Sequence, residues 1–184
     1  MGESYQIKDQ EALYFLTFHV VGWADVFTRK LYRDIIIESF RYRQQTDGLV
    51  IYAYVIMSNH VHCILRSSNG ALSETIRDFK KFTSKRIMKE IEQNPVESRG
   101  DWLPIIFRYH ARFNRRVENR QFWTHYNHAV ELSSNHMINT RLNYIHMNPV
   151  KAGIVRNPEE YIYSSASNYC GLDSLLDVEL IELS

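Results

Sequence analysis

His60 and His62 stand two apart in the run HVHCILR (60–66), a β-branched stretch of strand length, so both imidazoles project from one face with Cα atoms roughly 6.5 Å apart. That separation suits one metal ion. Val61 and Cys63 point to the opposite face, which makes Cys63 a core residue and not a third ligand. Tyr144 and Asn148, far downstream, lie four apart in a helical pattern and so occupy neighbouring spots on one helix face. Each pair has a bland reading as well as a chemical one. The histidines can be structural, Tyr144 can be core packing between Leu142 and Ile145, and Asn148 can close a helix before Pro149. The chemical reading has the Tyr144 hydroxyl attack a phosphodiester while the Asn148 side-chain oxygen joins the two histidines on a divalent metal.

The physics of such a site is coherent. A tyrosine with a pKa of about 10 is a poor nucleophile at neutral pH unless its surroundings favour the phenolate and the phosphate is made more electrophilic. A metal does both. Two neutral imidazoles and an amide oxygen leave coordination positions open for phosphate oxygens and add no negative charge to repel a polyanion. Imidazole suits transition metals better than magnesium, which makes manganese a reasonable occupant.

The elements that must position these residues follow from periodicity. Leu13 to Val20 reads as a strand, and Thr28 is placed to cap a helix carrying Leu31, Ile35, Ile36 and Phe40 up to Gly48. Leu49–Met57 and His60–Arg66 read as a hairpin across the Ser58-Asn59 turn. Leu72, Ile76, Phe79, Thr83, Ile87 and Ile91 form one stripe of a long helix, with Ser73 near its start as a cap. Asp101 and Pro104 open a further helical pattern through Phe113. Gln121–Leu132 alternates like a strand, and Ser134 can cap a last helix that should end at Pro149. Strand, helix, strand, strand, helix, helix, strand, helix predicts an α+β fold: an antiparallel sheet with helices packed on one face, of the split βαβ ferredoxin-like type.

The whole chain, 184 residues with 45% apolar and 23% charged, is long enough for one buried core and short for two. Residues 1–172 read as a single domain and 173–184 as a short acidic tail that either hangs in solvent, the expected state, or folds back over a basic face as an autoinhibitor. Two cysteines, Cys63 and Cys170, supply neither a disulfide framework nor a Cys-based zinc site, which suits a reducing, cytoplasmic setting. Met1 to Leu13 lacks an apolar signal core, and no run reaches the ~18 apolar residues of a membrane span. The formal net charge of +1 argues at first against a protein that grips polyanions. It conceals a division, because Arg77–Arg156 holds 15 Lys or Arg against 7 Asp or Glu.

Three motifs carry a family resemblance: YVIMSNHVHCIL (54–65), LNYIHMNPVKAGIV (142–155) and PEEYIYSSASNY (158–169). In that order, over about Leu13 to Gly171, the chain resembles the REP-associated tyrosine transposases, within the single-tyrosine HUH transposases of the insertion-sequence 200 type. The resemblance implies that His60 and His62 bind the metal, Mg²⁺ or Mn²⁺, and that Tyr144 is the nucleophile. It also implies that Asn148 sits where the family places its third polar ligand. That position is commonly Gln in the wider group, and Asn keeps the amide oxygen with one methylene less reach. The implied reaction is cleavage of single-stranded or hairpin DNA, such as REP-like palindromes, through a 5′-phosphotyrosine with release of a 3′-hydroxyl, followed by strand transfer. A catalytically idle hairpin-binding module on the same fold is the alternative. The protein would act as a monomer or a homodimer.

A DNA partner would find charge on two predicted helices. Lys80, Lys81, Lys85, Arg86 and Lys89 crowd the polar side of the first. Arg108, Arg112, Arg115, Arg116 and Arg120 follow, interleaved with Tyr109, Phe113 and Trp123. Cations with aromatic platforms match single strands, where phosphates need charge and splayed bases need stacking partners; a solvated helical face is the bland alternative. Lys151 is either a phosphate contact or an ordinary surface lysine. His125 and His128, three apart on the predicted strand, fall on opposite faces, His146 points away from the Tyr144 and Asn148 face, and His19, His110 and His136 have no partner at ligand spacing.

Overall fold

The computed structural model describes residues 6–114 and 119–181. Its elements run β1 (Tyr14–His19), α1 (Lys30–Thr46), β2 (Leu49–Ile56), β3 (His60–Ser67), α2 (Leu72–Gln93), α3 (Leu103–Ala111), β4 (Val130–Glu131), α4 (Asn135–Lys151) and α5 (Ala166–Tyr169). The first eight appear in the expected order. The four strands form one antiparallel sheet in the order β2-β3-β1-β4, which is the ferredoxin-like arrangement with β3 inserted between β1 and β2.

Period-two alternation decides what each face meets. Leu16 and Phe18 of β1 and Val61, Cys63 and Leu65 of β3 are buried on the side of α1 and α2, where Phe40 and Phe79 stack at 4.5 Å and Phe79 reaches Phe18. Phe15, Thr17 and His19 of β1 and His60 and His62 of β3 point the other way, toward α4, whose Tyr144 packs on Phe15 and His62. Helices therefore cover both faces and not one. The reason lies in the strands: Phe15 and the interior of β2 are apolar on this side too and need cover.

The predicted strand over Gln121–Leu132 shrinks to Val130–Glu131 plus a single bridge from Trp123 to Val20. The segment between them runs irregularly along β1, where Thr17 N–H donates to the Asn127 carbonyl and Thr124 N–H to the His19 carbonyl. Its alternating pattern arises because Phe122 and Trp123 plug the core, with the Trp123 indole N–H donating to Thr83.

Helix ends differ locally. Thr28 does not cap α1: its hydroxyl turns back to the Asp25 carbonyl, and Arg29 occupies the cap position. Ser73 lies inside the first turn of α2, and its N–H is capped from outside by the Gln10 side chain. α3 ends at Ala111, short of Phe113. Ser134 caps α4 as expected, accepting from Met137 N–H, but α4 continues through Pro149 to Lys151. Proline is tolerated there because only the final turn follows it, and Gly153, with φ 71°, supplies the left-handed residue that closes the end.

The motif around Tyr161–Ser165 holds the outer edge of β2. Ile56 N–H donates to the Tyr163 carbonyl, Ser165 N–H to the Tyr54 carbonyl, and the Tyr161 hydroxyl to the Ile56 carbonyl. His146 of α4 reaches the Ser165 hydroxyl at 2.9 Å, so this strap also seats α4. The acidic segment after Leu172 takes neither expected course. Leu176 is buried, Arg41 and Gln44 of α1 donate to the Leu175 and Asp177 carbonyls, and Glu179 N–H donates to the Ile51 carbonyl. Backbone hydrogen bonds along α1 and β2 hold it, so its charge decides little. Among the described residues, no helix is long and apolar enough to cross a membrane.

Candidate active site

β3 begins at His60, directly after the Ser58-Asn59 turn, so the two histidines project beside β1 and α4. Their rings lie 4.6 Å apart. The Tyr144 hydroxyl stands 3.4 Å from His62 Nε2, and Phe15 stacks on His62 at 5.5 Å. Three of the four expected residues thus converge. Asn148 follows Tyr144 by one turn of α4, half-buried, and no hydrogen bond joins its side chain to the other three.

The hydrogen-bonding around His60 fixes its tautomer. Asn59 Nδ2 donates to the Trp23 carbonyl and to Asp25 Oδ1, both acceptors, so the orientation of the Asn59 amide is settled. Its Oδ1 lies 2.7 Å from His60 Nδ1 and can only accept. His60 therefore carries its proton on Nδ1 and keeps the Nε2 lone pair. The chain of contacts extends further back. Arg99 Nη1 donates to the Asp25 carbonyl at 2.6 Å, and Arg99 is paired with Glu97. Burial alone would raise the Glu97 carboxyl, but hydrogen bonds from Arg99 and Tyr32 hold it down to about 2. His62 is treated similarly: Thr17 Oγ1 engages Nδ1 at 2.8 Å, which leaves Nε2 facing Tyr144.

Burial pushes His60 down to about 4 and His62 down to about 3, with His19 and, for His62, His60 and Arg141 adding positive repulsion. Both imidazoles are neutral at pH 7, each with one nitrogen tied back by a hydrogen bond. That is the state in which histidine ligates a metal, so the residues present fit a divalent ion. Among the described residues, no three of His, Cys, Asp and Glu are grouped to hold a metal; a third protein donor would be an amide such as Asn148.

Several residues at the site escaped the sequence reading. His19 is the cross-strand partner of His60, with rings 5.6 Å apart, and its other side meets His128 at 5.6 Å. Arg141, one turn before Tyr144, lies over Phe15 at 4.7 Å. Its spacing of three from Tyr144 was a usable signal. His19 had none until the register was known. Lys151 sits 5.9 Å from the Tyr144 ring centroid, and Arg141 lies over Phe15, which itself packs edge-on against Tyr144.

The basic residues divide. Lys80 is not free for phosphate: its ammonium donates to the Thr124 carbonyl and to Asn127 Oδ1, and burial lowers it to about 8. It staples the irregular segment to α2. Arg86 pairs with Glu38 and Arg120 with Glu92. Lys81, Lys85, Arg108, Arg112 and Lys151 are exposed, whereas Arg115 and Arg116 lie outside the described residues. Between α2 and the irregular segment runs a groove of about 1200 Å³, lined among others by Arg77, Lys81, Trp123, Tyr126 and His128. It meets the histidine cluster at the contact of His128 with His19.

A ferredoxin-like sheet with paired neutral histidines on one strand and a tyrosine on a facing helix defines a class of fold and site. Comparison with known proteins agrees on the family and the fold. The family model described as "Transposase IS200 like" matches residues 12–103, half of the chain, and the protein belongs to that family. The matched segment contains His19, His60 and His62 and stops before α4. The solved structure of a REP-associated tyrosine transposase bound to a REP hairpin superposes with a TM-score of 0.62 over 100% of this chain and 96% of that one, at 17% sequence identity. The two share an overall fold. No curated protein matches the chain.

Proposed function

We propose that the protein is a tyrosine transposase of the REP-associated type, which cleaves and rejoins single-stranded DNA beside a hairpin. The observation that carries this reading is the placement of the Tyr144 hydroxyl 3.4 Å from His62 Nε2, beside a second neutral histidine. The Tyr144 oxygen attacks the phosphorus of a scissile phosphodiester. The bond to the 3′ oxygen breaks, that oxygen leaves as a 3′-hydroxyl after taking up a proton, and the 5′ phosphate remains esterified to the tyrosine. Attack by another 3′-hydroxyl on the phosphotyrosine reverses the chemistry and transfers the strand.

Each neighbour has a part. Arg141 and Lys151 place positive charge where the phenolate forms and the phosphate arrives. Phe15, between Arg141 and His62, holds both in place and shields the site from water. His60 and His62, with Asn148 as the third donor, would hold Mg²⁺ or Mn²⁺. A bound divalent ion polarises the phosphate and lowers the cost of its developing charge. Lys81, Lys85, Arg108 and Arg112 bind DNA phosphates, and the groove toward His128 leads a single strand to the cluster.

The test is covalent capture. With labelled hairpin DNA and Mn²⁺, the wild-type protein should give a DNA adduct that survives a denaturing gel, and Tyr144→Phe should give none while binding the hairpin within about twofold. An adduct that persists in Tyr144→Phe removes the nucleophile assignment. No adduct from wild type, with hairpin binding retained, favours the idle binding module.

A further inference from the structure

Trp23 stands out from every other large apolar residue near the histidines. It is 63% exposed, yet its ring lies 4.7 Å from His19 and 6.4 Å from His60. Its backbone is in the left-handed region at φ 53°, an uncommon and strained conformation for a bulky residue that clusters at functional sites. The turn Val21–Trp23 carries it. Gly22 is itself left-handed, and a Cβ there would come 3.0 Å from Ile106 and 3.1 Å from His110, so α3 packs directly against it. Burial cannot explain why a tryptophan is held in strain with its ring in water.

The turn is also coupled to the site. The Asn59 amide that fixes the His60 tautomer donates its other face to the Trp23 carbonyl. One side chain thus sets both the imidazole and the exposed indole. We infer that Trp23 is a stacking platform for an unpaired nucleobase next to the scissile phosphate, held in fixed relation to His60 by Asn59. This rests on the single-strand cleavage proposed above and names the residue that would position the strand. An indole face accepts any base, so the platform contributes register and affinity without sequence choice. Bases inside a duplex could not use it, because each would have to leave its stack to reach the ring. The contact therefore favours the single-stranded arm over the stem.

The test uses the full chain, a hairpin with short single-stranded arms and an oligothymidylate strand. Trp23→Asn removes the ring and tolerates the left-handed backbone, and Trp23→Phe keeps an aromatic face. Trp23→Asn should bind oligothymidylate roughly tenfold more weakly with the dependence on salt unchanged, because no phosphate contact is lost. Trp23→Phe should recover most of the affinity, and an unchanged melting temperature in both would show that the fold is intact. Indole fluorescence quenched by oligothymidylate in wild type should lose its main component in Trp23→Phe. Abasic residues walked along the arm should weaken wild type at one position, next to the mapped adduct, and leave Trp23→Asn indifferent there. If Trp23→Asn binds and cleaves like wild type, the platform is wrong while the cleavage reading stands. If its defect is instead a change in oligomeric state, or a reduced salt dependence, the platform is again wrong. If wild type neither binds the single strand nor forms an adduct, the cleavage reading fails and the platform falls with it.

Discussion

The two faces of the sheet are made by the same strands and have opposite characters. Toward α1 and α2, Leu16, Phe18, Val61, Cys63 and Leu65 meet Phe40, Phe79 and Ile35 with almost no exposure. Toward α4, their immediate chain neighbours Phe15, Thr17, His19, His60 and His62 bring hydroxyl and imidazole groups beneath a tyrosine. Every residue step along β1 or β3 crosses from the sealing layer to the reactive one. The sealing layer can thus hold the reactive one still without contributing an atom to it, and the pleat sets how far apart the two histidines stand. The lesson is that stability and chemistry here are separable by residue parity, which can be tested by breaking each face in turn.

The largest contrast should come from His62→Ala and Phe79→Ala. His62→Ala should abolish metal-dependent cleavage and weaken Mn²⁺ binding in calorimetry, while moving the melting temperature much less than the core change does. Phe79→Ala should cost about 3–5 kcal/mol of stability in urea unfolding, with the protein that remains folded still able to form the adduct. Should the two variants show the same profile, the faces are not separable.

A smaller effect concerns acid. His146 lies on α4 two residues past Tyr144 and faces the Ser165 strap, and burial lowers it to about 4. Above pH 6.5 it is neutral whether folded or unfolded and has no effect on the balance. Between about 6.5 and 4 the unfolded chain takes up a proton that the folded chain refuses, so stability falls as pH falls, by up to about 3 kcal/mol from this group. Urea midpoints measured across that window should flatten in His146→Gln. The smallest effect separates adjacent lysines. Lys81→Ala should lower the slope of hairpin affinity against salt by about 1, whereas Lys80→Ala should lower the melting temperature, because it frees the segment at Thr124–Asn127 from α2.

The order of elements was legible because helices and strands here keep clean periods, as in the Leu72 to Ile91 stripe, and His60 and His62 were legible because a spacing of two on a strand is unambiguous. What failed depended on partners remote in sequence. Lys80 reads as a surface cation until a segment more than forty residues later is seen to accept hydrogen bonds from it. His19 gains meaning only from its register with His60, and the strand over Gln121–Leu132 was mimicked by two aromatic plugs. The acidic end was misjudged because its attachment is through backbone groups, to which side-chain charge gives no clue.

The strap at Tyr161–Ser165 and the segment through Glu179 have a consequence for how copies of the protein can meet. A sheet edge with free N–H and C=O groups is a template for a strand of another molecule. On one side, β2 has its outer groups at Ile51, Tyr54 and Ile56 already bonded within the chain. On the other, β1 is met by β4 and then by Trp123–Asn127. Among the described residues the sheet offers a neighbour no long open register, so self-association by strand addition is disfavoured. Cutting the chain before Tyr161 would reopen one side and turn a self-contained fold into an adhesive one.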